Sequence, residues 1–166
     1  MKTKDVALGG VLLALSLATL FIASFIPGVE LSLFTLSSFY IILMVIRTSA
    51  KAGWIFYGSS CLLAFLLIPN KLALIPYGMF FGIYGLIKHY IERIEKQAVE
   101  VLLKLLFFNG SLGISFYIFK DVFLGNIKLP DYSPVILVIG AQIFFLFYDY
   151  ILTLLIGFYQ KRFRNS

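Results

Sequence analysis

The amino-acid sequence predicts an all-α polytopic membrane protein, a bundle of about six transmembrane helices with both termini cytoplasmic. Three observations carry this expectation. The first is composition: of 166 residues, 61% are hydrophobic, 17% aromatic and only 13% charged, and the mean hydropathy is +0.97. Soluble domains run about 45–50% apolar and about 25% charged. A folded ball of this size would lack the charged residues to cover its surface, so a soluble cytosolic enzyme and a disordered chain are both excluded. The single Cys61 permits no internal disulfide and reads as a buried thiol in an apolar run. The second observation is the recurrence of apolar runs near the length of about 20 residues that a spanning helix needs. The third is an asymmetry in where the basic residues fall.

The runs justify the elements one by one. The first, 6–26, is ended by Pro27-Gly28. Lys2 and Lys4 ahead of it look like the basic region of a signal peptide, but its apolar stretch of about 20 residues exceeds the usual 7–15, so it reads as a retained span. The second, 31–46, stops at Arg47 and Lys51, and the third, 53–68, at Pro69-Asn70-Lys71. Both are short enough to be tilted or partly re-entrant. The fourth, 72–91, runs into the charged stretch Glu92 to Lys96. The fifth covers 99–119 and the sixth 134–159, the latter closed by Lys161, Arg162 and Arg164. Residues 120–133 form the one sizeable connection, mixing charge with apolar side chains as a lid or interfacial segment would. The spans fill the chain, so 1–166 is expected to be a single transmembrane domain.

Basic residues orient the bundle. With the N-terminus cytoplasmic, the inner segments hold Lys2, Lys4, Arg47, Lys51, Lys88, Arg93, Lys96, Lys161, Arg162 and Arg164, while the outer ones hold Lys71, Lys120 and Lys128. Ten against three is the bias of a plasma membrane protein, and six spans return the chain to the side it started from. The net charge of +6 is thereby explained by loops, and nucleic acid is not expected as a partner.

An ionisable group in hydrocarbon costs at least about 2.5–3.5 kcal/mol at mid-helix, so it faces protein and finds a partner. Asp149, about 15 Å from the cytoplasmic end of its helix at 1.5 Å per residue, is such a group. Lys104 lies at comparable depth on the fifth span, and a buried Lys104–Asp149 pair that fixes helix packing is the first reading. Ion or proton coupling at Asp149, or a ligand-binding carboxylate, is the other. Gln142, Asp149 and Thr153 make one stripe along the sixth span. Small residues form further stripes, Gly10, Ala14 and Ala18 on the first span and Gly78, Gly82 and Gly85 on the fourth. Such spacing lets two helix backbones approach closely, inside the bundle or against another membrane subunit.

Possible ligand contacts collect in the outward half: Glu30, Asn70 and Lys71 at span ends, Tyr77 just inside the fourth span, Ser115 and Tyr117 near the outer end of the fifth, and Gln142 on the sixth. Pockets for small organic molecules are mostly apolar walls with a few placed polar groups. His89 reads as a solvated interfacial residue, and no Cys/His cluster suggests a metal. The sequence has no Walker loop, dinucleotide fingerprint or GxSxG elbow. No cofactor and no enzymatic activity are expected, and any energy from ATP must enter through another subunit.

Six short spans, cytoplasmic ends, no nucleotide site and the sequence ALSLA from Ala14 to Ala18 resemble the substrate-binding S component of energy-coupling factor transporters. The resemblance implies that Ala14 and Ala18 contact a transmembrane coupling subunit, itself carrying two ATPase subunits. It also implies that a vitamin-like small molecule binds at the outer face of the cell membrane. In another class, the chain resembles the rod-shape MreD family of membrane scaffolds, which would put its work at the cytoplasmic surface.

Overall fold

The computed structural model describes residues 3–26, 28–94, 96–124 and 134–164. Among them every regular element is helical: α1 (Thr3–Ala23), α2 (Glu30–Arg47), α3 (Ala50–Leu67), α4 (Lys71–Pro76), a π-turn (Tyr77–Phe81), α5 (Gly82–Ile91), a 3-10 turn (Glu92–Ile94), α6 (Gln97–Leu124) and α7 (Pro134–Arg164). Five helices are long and apolar enough to cross a membrane: α1, α2, α3, and the stretches Gln97–Ser115 of α6 and Val138–Lys161 of α7. The protein is therefore an all-helical, multi-pass membrane protein. Its described residues fall into two compact units, Met1–Val101 and Leu102–Ser166.

Several boundaries differ from those read in the sequence. The second and third runs grow to 18 residues each, about 27 Å of helix, close to the roughly 30 Å hydrocarbon core. The extra turn of α3 comes from a cap, Ser49 accepting the Ala52 N–H at 3.2 Å, which satisfies one of the donors a helix start leaves open. The fifth run continues as helix to Leu124, through the first residues of the stretch expected to be a loop. Residues 125–133, with Lys128, lie outside the described residues.

The fourth run is not one α-helix. Pro76 brings a ring and no N–H into the segment, which an α-helix accommodates poorly. The chain answers with a π-turn, in which the Gly82 N–H bonds the Tyr77 carbonyl five residues back. Pieces of six, five and ten residues follow without a break. Each alone is too short to span, and together they cover about 30 Å.

In the first unit the segments run up and down. Gly9 meets Met44 on α2, Ser16 meets Ser37, and a Cβ on Gly53 would lie 2.4 Å from Val45 and 2.8 Å from Leu86. These pairs set α1 antiparallel to α2, α2 to α3, and α3 to α5. Helix α2 is the centre, burying Phe34, Ser37, Ser38, Ile41, Ile42, Met44 and Val45. Hydrocarbon offers helices no hydrophobic reason to associate, so close backbone approach and hydroxyl bonds replace it. Gly85 illustrates this, since a Cβ there would sit 2.8 Å from Ile42 and 3.4 Å from the Ser38 carbonyl. The second unit is an antiparallel pair of α6 and α7, matched rung by rung at Lys104–Asp149, Phe108–Phe145 and Asn109–Gln142.

Candidate functional site

Polar side chains in the first unit converge where the α1–α2 turn is about 10 Å away along each helix. Ser16 of α1 and Ser37 of α2 share a hydrogen bond of 2.6 Å. Ser60 of α3 and the Tyr77 hydroxyl share another of 2.8 Å, and the Tyr77 hydroxyl also reaches Ser37 and Ser16. All four residues are buried, Tyr77 to 1% exposure and the three serines completely. One turn further along α3, the Tyr57 hydroxyl donates to the Gly78 carbonyl at 2.6 Å. That carbonyl is the one whose α-helical donor, the Gly82 N–H, has gone to Tyr77 instead. Gly82 makes room for this, because a Cβ there would lie 2.8 Å from the Tyr57 ring. Four segments are thus joined through hydroxyls, with the π-turn at the joint.

Of the residues singled out in the sequence, Tyr77 belongs to this junction, while its partners Ser16, Ser37, Ser60 and Tyr57 were not foreseen. A signal existed: each serine lies seven residues from the same end of its helix. The other expected contacts at this end serve the helix termini. Glu30 accepts the Gly28 N–H at 2.7 Å, steadying a turn in which Gly28 takes φ +90, the left-handed region that favours glycine. Lys71 donates to the carbonyls of Phe65 and, at 2.8 Å, Ile68, closing the end of α3, and its ammonium lies 4.8 Å from the centre of the Phe65 ring. Asn70 is exposed between them. An open apolar cavity of about 410 Å³ lies at the same end, lined by Leu17, Ala18, Phe21, Ile22, Leu67 and Ile68. Glu30, Asn70 and Lys71 are not in its wall.

In the second unit Lys104 Nζ lies 3.1 Å from Asp149 Oδ2, with side-chain exposures of 9% and 19%. Gln142 donates to Asn109 at 2.8 Å, and the Thr153 hydroxyl bonds the Asp149 carbonyl of its own helix at 2.9 Å. The stripe on α7 is thus spent on rungs to α6 and on α7 itself. Ser115 is half-buried and Tyr117 is 80% exposed. Two residues apart on a helix, at about 100° per residue, they point about 200° apart and do not share a face.

The small-residue stripes part ways. On the fourth segment Gly82 and Gly85 are consumed by internal packing, while Gly78 meets open space. On α1 it is Gly9 that packs inward, and Gly10 has nothing within 4 Å of where a Cβ would stand. Gly10, Ala14 and Ala18 are all exposed, opposite the buried Leu12, Ser16, Leu20 and Ala23. At the other end of the unit Lys88, counted among the inner basic residues at the end of the fourth run, is 1% exposed and pairs with Glu92 at 2.7 Å. Among the described residues no three His, Cys, Asp or Glu side chains gather as a metal site. Comparison with protein-family models, characterised proteins and solved structures finds no match to this chain.

Proposed function

We propose that the chain is the S-component-like, substrate-binding membrane subunit of an energy-coupling factor importer. In this reading it crosses the bacterial cell membrane six times, counting the fourth segment as a span, and keeps both termini in the cytoplasm. It captures a vitamin-like small molecule at the outer face, docks on a transmembrane coupling subunit served by two ATPases, and is not itself an enzyme. The observation that carries the reading is the open face of α1. Gly10, Ala14 and Ala18 are exposed, whereas Gly82 and Gly85 of the fourth segment are filled from within. A small stripe facing outward is what a second helix backbone needs in order to approach closely.

The test is co-purification in mild detergent. The native protein should retrieve a coupling subunit together with two ATPases. Enlarging Ala14 and Ala18 to Trp together should cut that yield by about tenfold or more, about 1.4 kcal/mol of association free energy, while the variant stays monodisperse. Retrieval of cytoskeletal or wall-synthesis proteins in place of ATPases would move the assignment to the scaffold class.

A further inference from the structure

The fourth segment is built of two unlike halves. The half after the π-turn is fixed: Gly82 and Gly85 touch Tyr57 and Ile42 so closely that a methyl group would not fit, and Leu86 closes on Gly53 in the same way. The half before it, Lys71–Pro76, has six residues and packs on α3. Between them Pro76 offers no N–H, and the turn that follows is wider than an α-helical one. Such π-turns recur at functional sites, and Pro-linked breaks are where helices bend. In transporters, interrupted spans of this kind mark sites inside the membrane.

Two hydroxyl bonds tie the turn to α3. Tyr57 occupies the Gly78 carbonyl at 2.6 Å, and Tyr77 is held by Ser60 at 2.8 Å. The second contact also sets the hydroxyl of Tyr77, a residue 1% exposed, among Ser16, Ser37 and Ser60. Moving the wide turn by one residue along the chain rotates whatever lies before it by about 100°. Tyr77 is the first residue such a slip would carry, and its departure would leave three serine hydroxyls facing the space it vacates.

We propose that the π-turn Tyr77–Phe81 is a hinge about which Lys71–Pro76 turns relative to Gly82–Ile91, withdrawing Tyr77 from Ser16, Ser37 and Ser60. The hinge is a gate and Tyr77 its bolt. Closed, the junction is a packed polar core. Open, it is a polar floor of hydroxyls, suited to a small ligand with a hydrogen-bonding group in place of the phenol. The inference concerns the first unit alone and stands whether or not the chain docks on a coupling subunit.

Spin labels report the motion in the full chain reconstituted in phospholipid nanodiscs. In a Cys61→Ser background, one pair is placed at Phe25→Cys and Leu74→Cys across the hinge. A reference pair at Lys51→Cys and Arg93→Cys reports the fixed half. Tyr57→Phe removes the bond to Gly78 and should enlarge the minor distance population of the first pair about fivefold, the effect of one hydrogen bond of ordinary net worth. The reference pair should stay unchanged. Ser60→Ala, which leaves the Tyr77 hydroxyl without its α3 partner, should act in the same direction and serves if Tyr57→Phe does not fold. Gly78→Ala should narrow the distribution, because a methyl there meets open space and an alanine stiffens helix. One unchanged distribution across these variants, or both pairs loosening together, would overturn the hinge.

Discussion

The ion pair between Lys104 and Asp149 is the most consequential pair of side chains in the second unit, because neither charge has water enough to stand alone. At 3.1 Å, with exposures of 9% and 19%, the two neutralise each other in a setting where a lone charge is expensive. Removing one partner takes from the other its opposite charge across the α6–α7 seam. Asp149→Asn and Lys104→Met should therefore each lower stability by about 3 kcal/mol, whereas the double replacement Lys104→Met with Asp149→Leu should cost about 1 kcal/mol or less. Charge reversal at both positions should recover more than half of either single loss. Equilibrium unfolding in mixed micelles measures all of these, and additive losses would show that the charges act separately. Depth along the two spans was enough to suggest this pairing, since charge is scarce in both and helix rise places them level. Gln142 was harder to read. Its partner Asn109 stands in the same seam, but an amide in an apolar run carries no sign that says whether it faces a ligand or a neighbouring helix.

The two small-residue stripes show how far spacing speaks for an element. Gly10, Ala14 and Ala18 on α1 and Gly78, Gly82 and Gly85 on the fourth segment follow nearly the same interval, yet one faces outward and two residues of the other are locked inside. Spacing states that a backbone can approach; it does not state which one. The break at Pro76 was hidden for a related reason, since the apolar run continues through it and hydropathy has no term for a missing N–H. The stripes also respond differently to added bulk. Gly85→Val would drive side-chain atoms into Ile42 and the Ser38 carbonyl, and overpacking of this kind should cost about 1–3 kcal/mol. Gly10→Val meets nothing within 4 Å and should change stability by about 0.5 kcal/mol or less. Thermal denaturation in detergent compares the two, and equal losses would mean that packing at Gly85 is not what holds α2 to α5.

Orientation is a property of the chain as a whole, and it follows from a few charges in a sequence that can afford few. The first unit concentrates Lys4, Arg47, Lys51, Lys88, Arg93 and Lys96 where α1 and α3 begin and α2 and α5 end, while the opposite end offers Lys71. That lysine is tied to the carbonyls that close α3, so its charge serves the helix end. Lys88 is buried against Glu92 and adds little to the exposed field, yet removing it from the count leaves the bias intact. Positive charge near span ends resists translocation, and this is the basis of the proposed orientation, in which the end bearing Lys51 and Arg93 lies in the cytoplasm and Asn70 outside. The all-helical, multi-pass class followed directly from composition, while the arrangement of the hydroxyl junction did not, because three serines and a tyrosine at one depth on four segments meet only once those segments are packed. Single cysteines placed in a Cys61→Ser background at Asn70, Lys51 and Arg93 test the orientation in intact cells. A membrane-impermeant maleimide should label Asn70→Cys readily and the other two only after the membrane is permeabilised. Labelling of Lys51→Cys or Arg93→Cys in intact cells would invert the topology, and with it the side on which the proposed ligand would be captured.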